Sequence, residues 1–78
     1  MIKFDHIIAK PDILGGKPCV KNTRISVEFI LELLASGASI PQIATSYPSL
    51  LPEAIKEAIL YASHFMQNDI IIETRKVA

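Results

Sequence analysis

The chain has 78 residues, eight basic and eight acidic, for a formal net charge of zero, which argues against a nucleic-acid binder that relies on a Lys- and Arg-rich surface. Half of the residues are hydrophobic and mean hydropathy is +0.35; a domain this small buries only about 60% of its unfolded surface, so a partner is expected to cover some of the apolar remainder. The one cysteine, Cys19, excludes an internal disulfide, and no apolar run reaches the ~18 residues of a membrane helix.

In chain order, residues 2–8 alternate in part (Ile2 and Phe4 against Lys3 and Asp5) and end in Ile7-Ile8, which predicts a short strand. The opening Met-Ile-Lys-Phe-Asp-His carries no long apolar segment of the signal-peptide kind, so the expectation is a cytoplasmic protein. Pro11, Gly15-Gly16 and Pro18 then break any helix. Short strands around Cys19-Val20 and Arg24-Ile25 are expected to form a hairpin across Lys21-Asn22-Thr23, because Asn tolerates the left-handed turn conformation.

At Ser26 the period changes. Val27, Ile30, Leu31 and Leu34 fall on one stripe of a helix capped by Ser26 and ended by Gly37. Ser39 and Gln42 form a capping box that opens a short second helix, with Ile40, Ile43 and Ala44 inward and Tyr47 closing it before Pro48. Pro52 and Glu53 suit the first turn of a third helix running to about Gln67, with Asn68 as its left-handed cap. Ile55, Ala58, Ile59, Ala62 and Met66 form its main stripe and Tyr61 and Phe65 an adjoining one. Leu60 sits among Glu53, Lys56, Glu57 and His64 on the outer face. The resulting plan is mainly α: a strand and hairpin lobe over 1–25, a trihelical helix-turn-helix core over 26–68, and a tail over 69–78, all in one domain.

The run from Ile13 to Ala62 resembles the bacterial family labelled domain of unknown function 433. The likeness lies in the Gly-Gly-Lys-Pro turn of Gly15 to Pro18, the Thr-Arg-Ile step of Thr23 to Ile25, the apolar helix ending at Gly37, Ile40 with Ile43, Tyr47 to Leu50, and the Ala-rich stretch from Ala54 to Ala62. It implies a homeodomain-like fold with short strands before the helices. It also implies an antitoxin, encoded beside a small toxin of PIN-like ribonuclease fold and bound to it. Two positions depart from the family pattern: Asn22 stands where Gly is usual, and Leu51 where Thr or Ser caps the third helix, at about 1 kcal/mol of lost capping.

Charge is unevenly spread. Residues 1–25 hold Lys3, Lys10, Lys17, Lys21 and Arg24 against Asp5 and Asp12, whereas residues 26–69 hold only Lys56 against Glu28, Glu32, Glu53, Glu57 and Asp69. Lys17, Lys21 and Arg24 are therefore the candidate DNA contacts, since Arg grips a phosphate in bidentate fashion. The plainer alternative pairs Arg24 with Glu28 or Glu32. The third helix fits base reading poorly, because Glu53 and Glu57 repel phosphates. In the tail, Ile70, Ile71 and Ile72 precede Arg75 and Lys76. They read either as a last strand paired with residues 2–8, or as a segment along the toxin whose cations compete with its metal. With Leu60 and His64, the residues Ile70, Ile72, Arg75 and Lys76 are the candidate partner contacts.

No catalytic constellation is evident, so no enzyme activity and no metal or cofactor is expected. Neighbours Asp5 and His6 on a strand face opposite sides; His64 reads as a solvated side chain and Cys19 as a small buried one. The expectation is an antitoxin, as a homodimer, that neutralises a PIN-like toxin and regulates its own operator DNA. A stand-alone DNA-binding regulator and a protein-interaction module without a nucleic-acid role are the alternatives.

Overall fold

The computed structural model describes residues 4–65, which form, in order, strand β1 (Ile7–Ile8), a 3-10 turn (Leu14–Gly16), strand β2 (Cys19–Val20) and helices α1 (Val27–Ala35), α2 (Ile40–Ser46) and α3 (Pro52–Phe65). The molecule is mainly helical, with a two-stranded antiparallel sheet in which Ile7 pairs with Val20 and Ile8 with Cys19. The predicted tail, Met66, the end of the last helix and its cap at Asn68 lie outside the described residues, as do Ile2 and Lys3.

The strands are shorter than the sequence pattern predicts. Phe4, Asp5 and His6 precede β1 rather than belong to it, and the partner of β2 is β1, not the Arg24-Ile25 segment. The turn across Lys21-Asn22-Thr23 does form. Asn22 takes φ 67°, the Thr23 N–H donates to the Val20 carbonyl at 3.0 Å and the Val20 N–H to the Ile25 carbonyl at 2.9 Å. Its return limb then adds only an isolated bridge between Cys19 and Ser26, because Ser26 already serves as the first helix's cap and the chain turns helical there. Upstream, the reversal before β2 uses positive φ at Leu14, Gly15 and Gly16, the left-handed region in which glycine carries no Cβ penalty.

Helix starts follow the chemistry of their caps. The Ser26 hydroxyl accepts from the Phe29 N–H at 2.9 Å. At α2 both arms of the capping box form, Gln42 N–H to the Ser39 hydroxyl at 3.2 Å and Ser39 N–H to the Gln42 side chain at 2.8 Å. Gly37, with φ 107°, ends the α1 segment. Tyr47 closes α2 with non-helical angles (φ −125°, ψ 83°), and its ring meets Phe29 edge-on at 5.8 Å. The segment from Tyr47 to Leu51 is thus a true break between helices.

α3 packs against α1, α2 and β1. One core joins Ile7 and Val20 of the lobe to Val27, Ile30, Ile43, Leu50, Ala54, Ile55 and Ala58, so the lobe and the helices share their interior. Each fully buried Ile or Leu contributes roughly 1.5–3 kcal/mol through removal from water. Ala54 rather than Ile59 completes the inward stripe of α3: Ala54 is sealed, while Ile59 is 38% exposed. Leu50 in the interhelical link is sealed as well. Among the described residues, no helix is long and apolar enough to cross a membrane.

Candidate functional site

Three surface features bear on function. The first ties the lobe to α3. The Glu57 carboxylate accepts a hydrogen bond from the backbone N–H of His6, and its other oxygen lies 3.1 Å from His6 Nδ1. Both side chains are partly shielded, at 35% and 15% exposure. Burial pushes the Glu57 carboxyl up, but hydrogen bonds from the His6 backbone and ring, the charge of His6 and the backbone of Ile7 together hold it below the ordinary carboxylate value. Glu57 is therefore not the free outer-face acid that the helical wheel suggests. Above it, Phe4 sits edge-on to Tyr61 at 5.1 Å and to His64 at 6.1 Å. His64 is accordingly half-buried, contrary to its reading as a solvated side chain, because the chain before β1 lies across that face of α3.

The second feature is basic. Lys10, Lys21 and Arg24 surround one open depression with Ile8, Ile13, Asn22 and Thr23. Lys21 and Arg24, two of the three predicted DNA contacts, come together there. Lys17, the third, forms an exposed ion pair with Glu28 at 3.1 Å. That pairing corrects the expectation that Arg24 meets Glu28 or Glu32. An exposed pair of this kind is worth ~0–1 kcal/mol, so its consequence is where Lys17 points. Lys10 had no motif to mark it; its surplus charge in the first 25 residues was the one available signal.

The third feature is apolar. Pro18, Val27, Leu31, Tyr61, Ala62 and Phe65 line a trough between the start of α1 and the end of α3, with Lys17 and Glu28 at its rim. Phe65 is 67% exposed, and Leu60, on another face of α3, is 45% exposed. Of the predicted partner contacts, Leu60 is thus an exposed apolar residue and His64 packs on Phe4; Ile70, Ile72, Arg75 and Lys76 lie outside the described residues. Cys19 is fully buried, with its Sγ 3.8 Å from the Thr23 carbonyl. Among the described residues no group of His, Cys, Asp and Glu is placed to hold a metal ion.

A three-helix module with a small antiparallel sheet, presenting a basic depression and an apolar trough, is the class of molecule these features define. The chain belongs to the family described as "Protein of unknown function (DUF433)", whose model matches residues 7–62. It is 39% identical over 56 residues to the uncharacterized protein y4eO of Sinorhizobium fredii, a match over 72% of this chain and 25% of that protein. The crystal structure of a DUF433 member from Anabaena variabilis superposes with a TM-score of 0.72 at 29% identity, over 76% of this chain and 58% of that one. The chain therefore spans about a quarter of the curated relative and little more than half of the solved chain.

Proposed function

We propose that the protein is the antitoxin of a toxin–antitoxin pair, a non-enzymatic module that neutralises a PIN-like ribonuclease by binding it and that contacts its own operator DNA through the N-terminal lobe. The observation that carries the binding half is Phe65. It continues the inward stripe of α3 beyond the core, stands 67% exposed and lines an apolar trough. An apolar surface left open among the described residues marks a place for a protein contact. The resemblance of Ile13 to Ala62 to antitoxin-like members of the family supplies the identity of that partner.

The order of a short α2 followed by a long α3 fits a homeodomain-like helix-turn-helix, but the first turn of α3 suits DNA poorly. Glu53 is exposed there and would face phosphates. DNA contact is therefore assigned to the lobe, where Lys21 and Arg24 are held on a turn fixed by backbone hydrogen bonds. The second reading, a protein-interaction module without a nucleic-acid role, is favoured by the net charge of zero.

The test is co-expression with the product of the adjacent reading frame. Growth arrest by that product alone and recovery with this chain is the expected result. A neighbour that is harmless on its own, or toxic but not rescued, would overturn the proposal.

A further inference from the structure

We infer that the depression bounded by Lys10, Lys21 and Arg24 is a phosphate-backbone contact site for double-stranded DNA, and that Lys17 is not part of it. The inference rests on the DNA-contact half of the proposed function and changes its residues.

Two stretches of chain more than ten residues apart meet at this site. Lys10 precedes the turn into the 3-10 segment, and its carbonyl accepts from the Ile13 N–H at 3.0 Å. Lys21 follows β2, and its N–H donates to the His6 carbonyl at 2.7 Å. Arg24 closes the Asn22 turn, next to Ile25, whose N–H donates to the Thr23 hydroxyl at 3.0 Å. The backbone is thus pinned at Lys10 and Lys21 and on both sides of Arg24, while the three side chains are exposed.

The lining residues are Ile8, Lys10, Ile13, Lys21, Asn22, Thr23 and Arg24. They include three cations and no carboxylate, in a chain whose charges sum to zero. Among the described residues, the ion pairs are His6–Glu57 and Lys17–Glu28, so none of the three has an acidic partner there. Gathering like charges in a concave surface raises the local potential, and a bound polyanion relieves their repulsion. Each phosphate contact adds a released counterion, which is the main source of affinity for a duplex. Contacts from these three cations to phosphates would fix the register of a duplex and carry no sequence information themselves, so the site positions the duplex. Lys17 does not line this depression: it pairs with Glu28, at the rim of the apolar trough, and shares a separate hollow with Arg24.

The test measures binding of the full chain to a fluorescein-labelled random-sequence DNA duplex across a series of low salt concentrations. The triple variant Lys10→Gln, Lys21→Gln, Arg24→Gln should lower the log-log salt slope by about 2.7 per chain, at ~0.9 per phosphate contact. The variant Lys17→Ala, Lys56→Ala, which also removes cations, should lose none of it. Lys10→Arg with Lys21→Arg should retain binding, and circular dichroism should show each variant folded. A slope unchanged in the triple variant, or lost equally in the Lys17/Lys56 control, overturns the inference, as does tighter binding to single-stranded RNA than to the duplex. Toxin neutralisation is scored separately. A chain that neutralises but binds DNA through other residues, or not at all, sinks this inference and leaves the antitoxin reading standing. One that binds DNA through these three but does not neutralise does the reverse.

Discussion

His6 and Glu57, 51 positions apart, are joined twice: the Glu57 carboxylate accepts from the His6 backbone N–H and stands 3.1 Å from its imidazole Nδ1. The bond fastens the chain entering β1 to the middle of α3, beside the Phe4–Tyr61 ring contact. Glu57→Ala should therefore destabilise the fold by about 1.5–3 kcal/mol, the range for hydrogen bonds to a charged group. His6→Ala should cost less, since the backbone donor remains. Urea denaturation followed by circular dichroism measures both, and a Glu57→Ala midpoint equal to the parent's would contradict the assignment.

The same contact sets a pH dependence. Glu57 is held below the ordinary carboxylate value of 4.5 in the folded chain. Its contribution is thus fully present above that value and lost as pH falls through the depressed folded one. The urea midpoint of the parent should drop in that acid window. In Glu57→Gln the drop should be shallower, and parallel curves for the two proteins would show that another group is responsible.

The helix caps offer a second check on the fold. Ser26→Ala and Ser39→Ala should each cost about 1 kcal/mol, read as a lower thermal midpoint. Gln42→Ala removes the second arm of the capping box and should cost less than Ser39→Ala. The reverse order would mean that the α2 cap relies on Gln42.

Asn22 occupies the left-handed region at φ 67°, so Asn22→Gly should leave stability within a few tenths of a kcal/mol or raise it slightly. Asn22→Val should cost at least about 1–2 kcal/mol, because a β-branched residue is strained there. Equal melting of the Gly and Val variants would refute a left-handed turn.

Phe65→Arg and Leu60→Arg test the partner surface. Both side chains are exposed, so the variants should stay within about 0.5 kcal/mol of the parent in stability. Phe65→Arg should abolish toxin neutralisation, and Leu60→Arg should weaken it. Full rescue of growth by the Phe65 variant would remove the trough from the interface.

Helix identities and starts were legible in the sequence because they are local. Ser26, the Ser39–Gln42 box, Gly37, Pro48 and Pro52 each act within one turn of the backbone, and each stands where its chemistry places it. The side-chain partners were not legible. A helical wheel puts Glu57 beside Leu60 and His64 on the outer face, yet only the path of residues 4–8 decides that this face is partly covered. Likewise the Lys17–Glu28 pair depends on the reversal through Leu14, Gly15 and Gly16, where three consecutive positive φ angles redirect the chain. Neither residue's neighbours in sequence carry that information. The basic cluster was visible as a surplus of charge, but its membership needed the meeting of two strands.

Because Cys19 is fully covered, with its sulfur against the carbonyl of Thr23 in the turn after β2, its thiol doubles as a built-in clock. A modifying reagent reaches it only in molecules in which β2 and the turn that follows it have opened, so the labelling rate reports how often that opening occurs without any added probe. Slower labelling in the presence of a bound protein would record that the partner clasps the sheet shut, even if it never touches the sulfur.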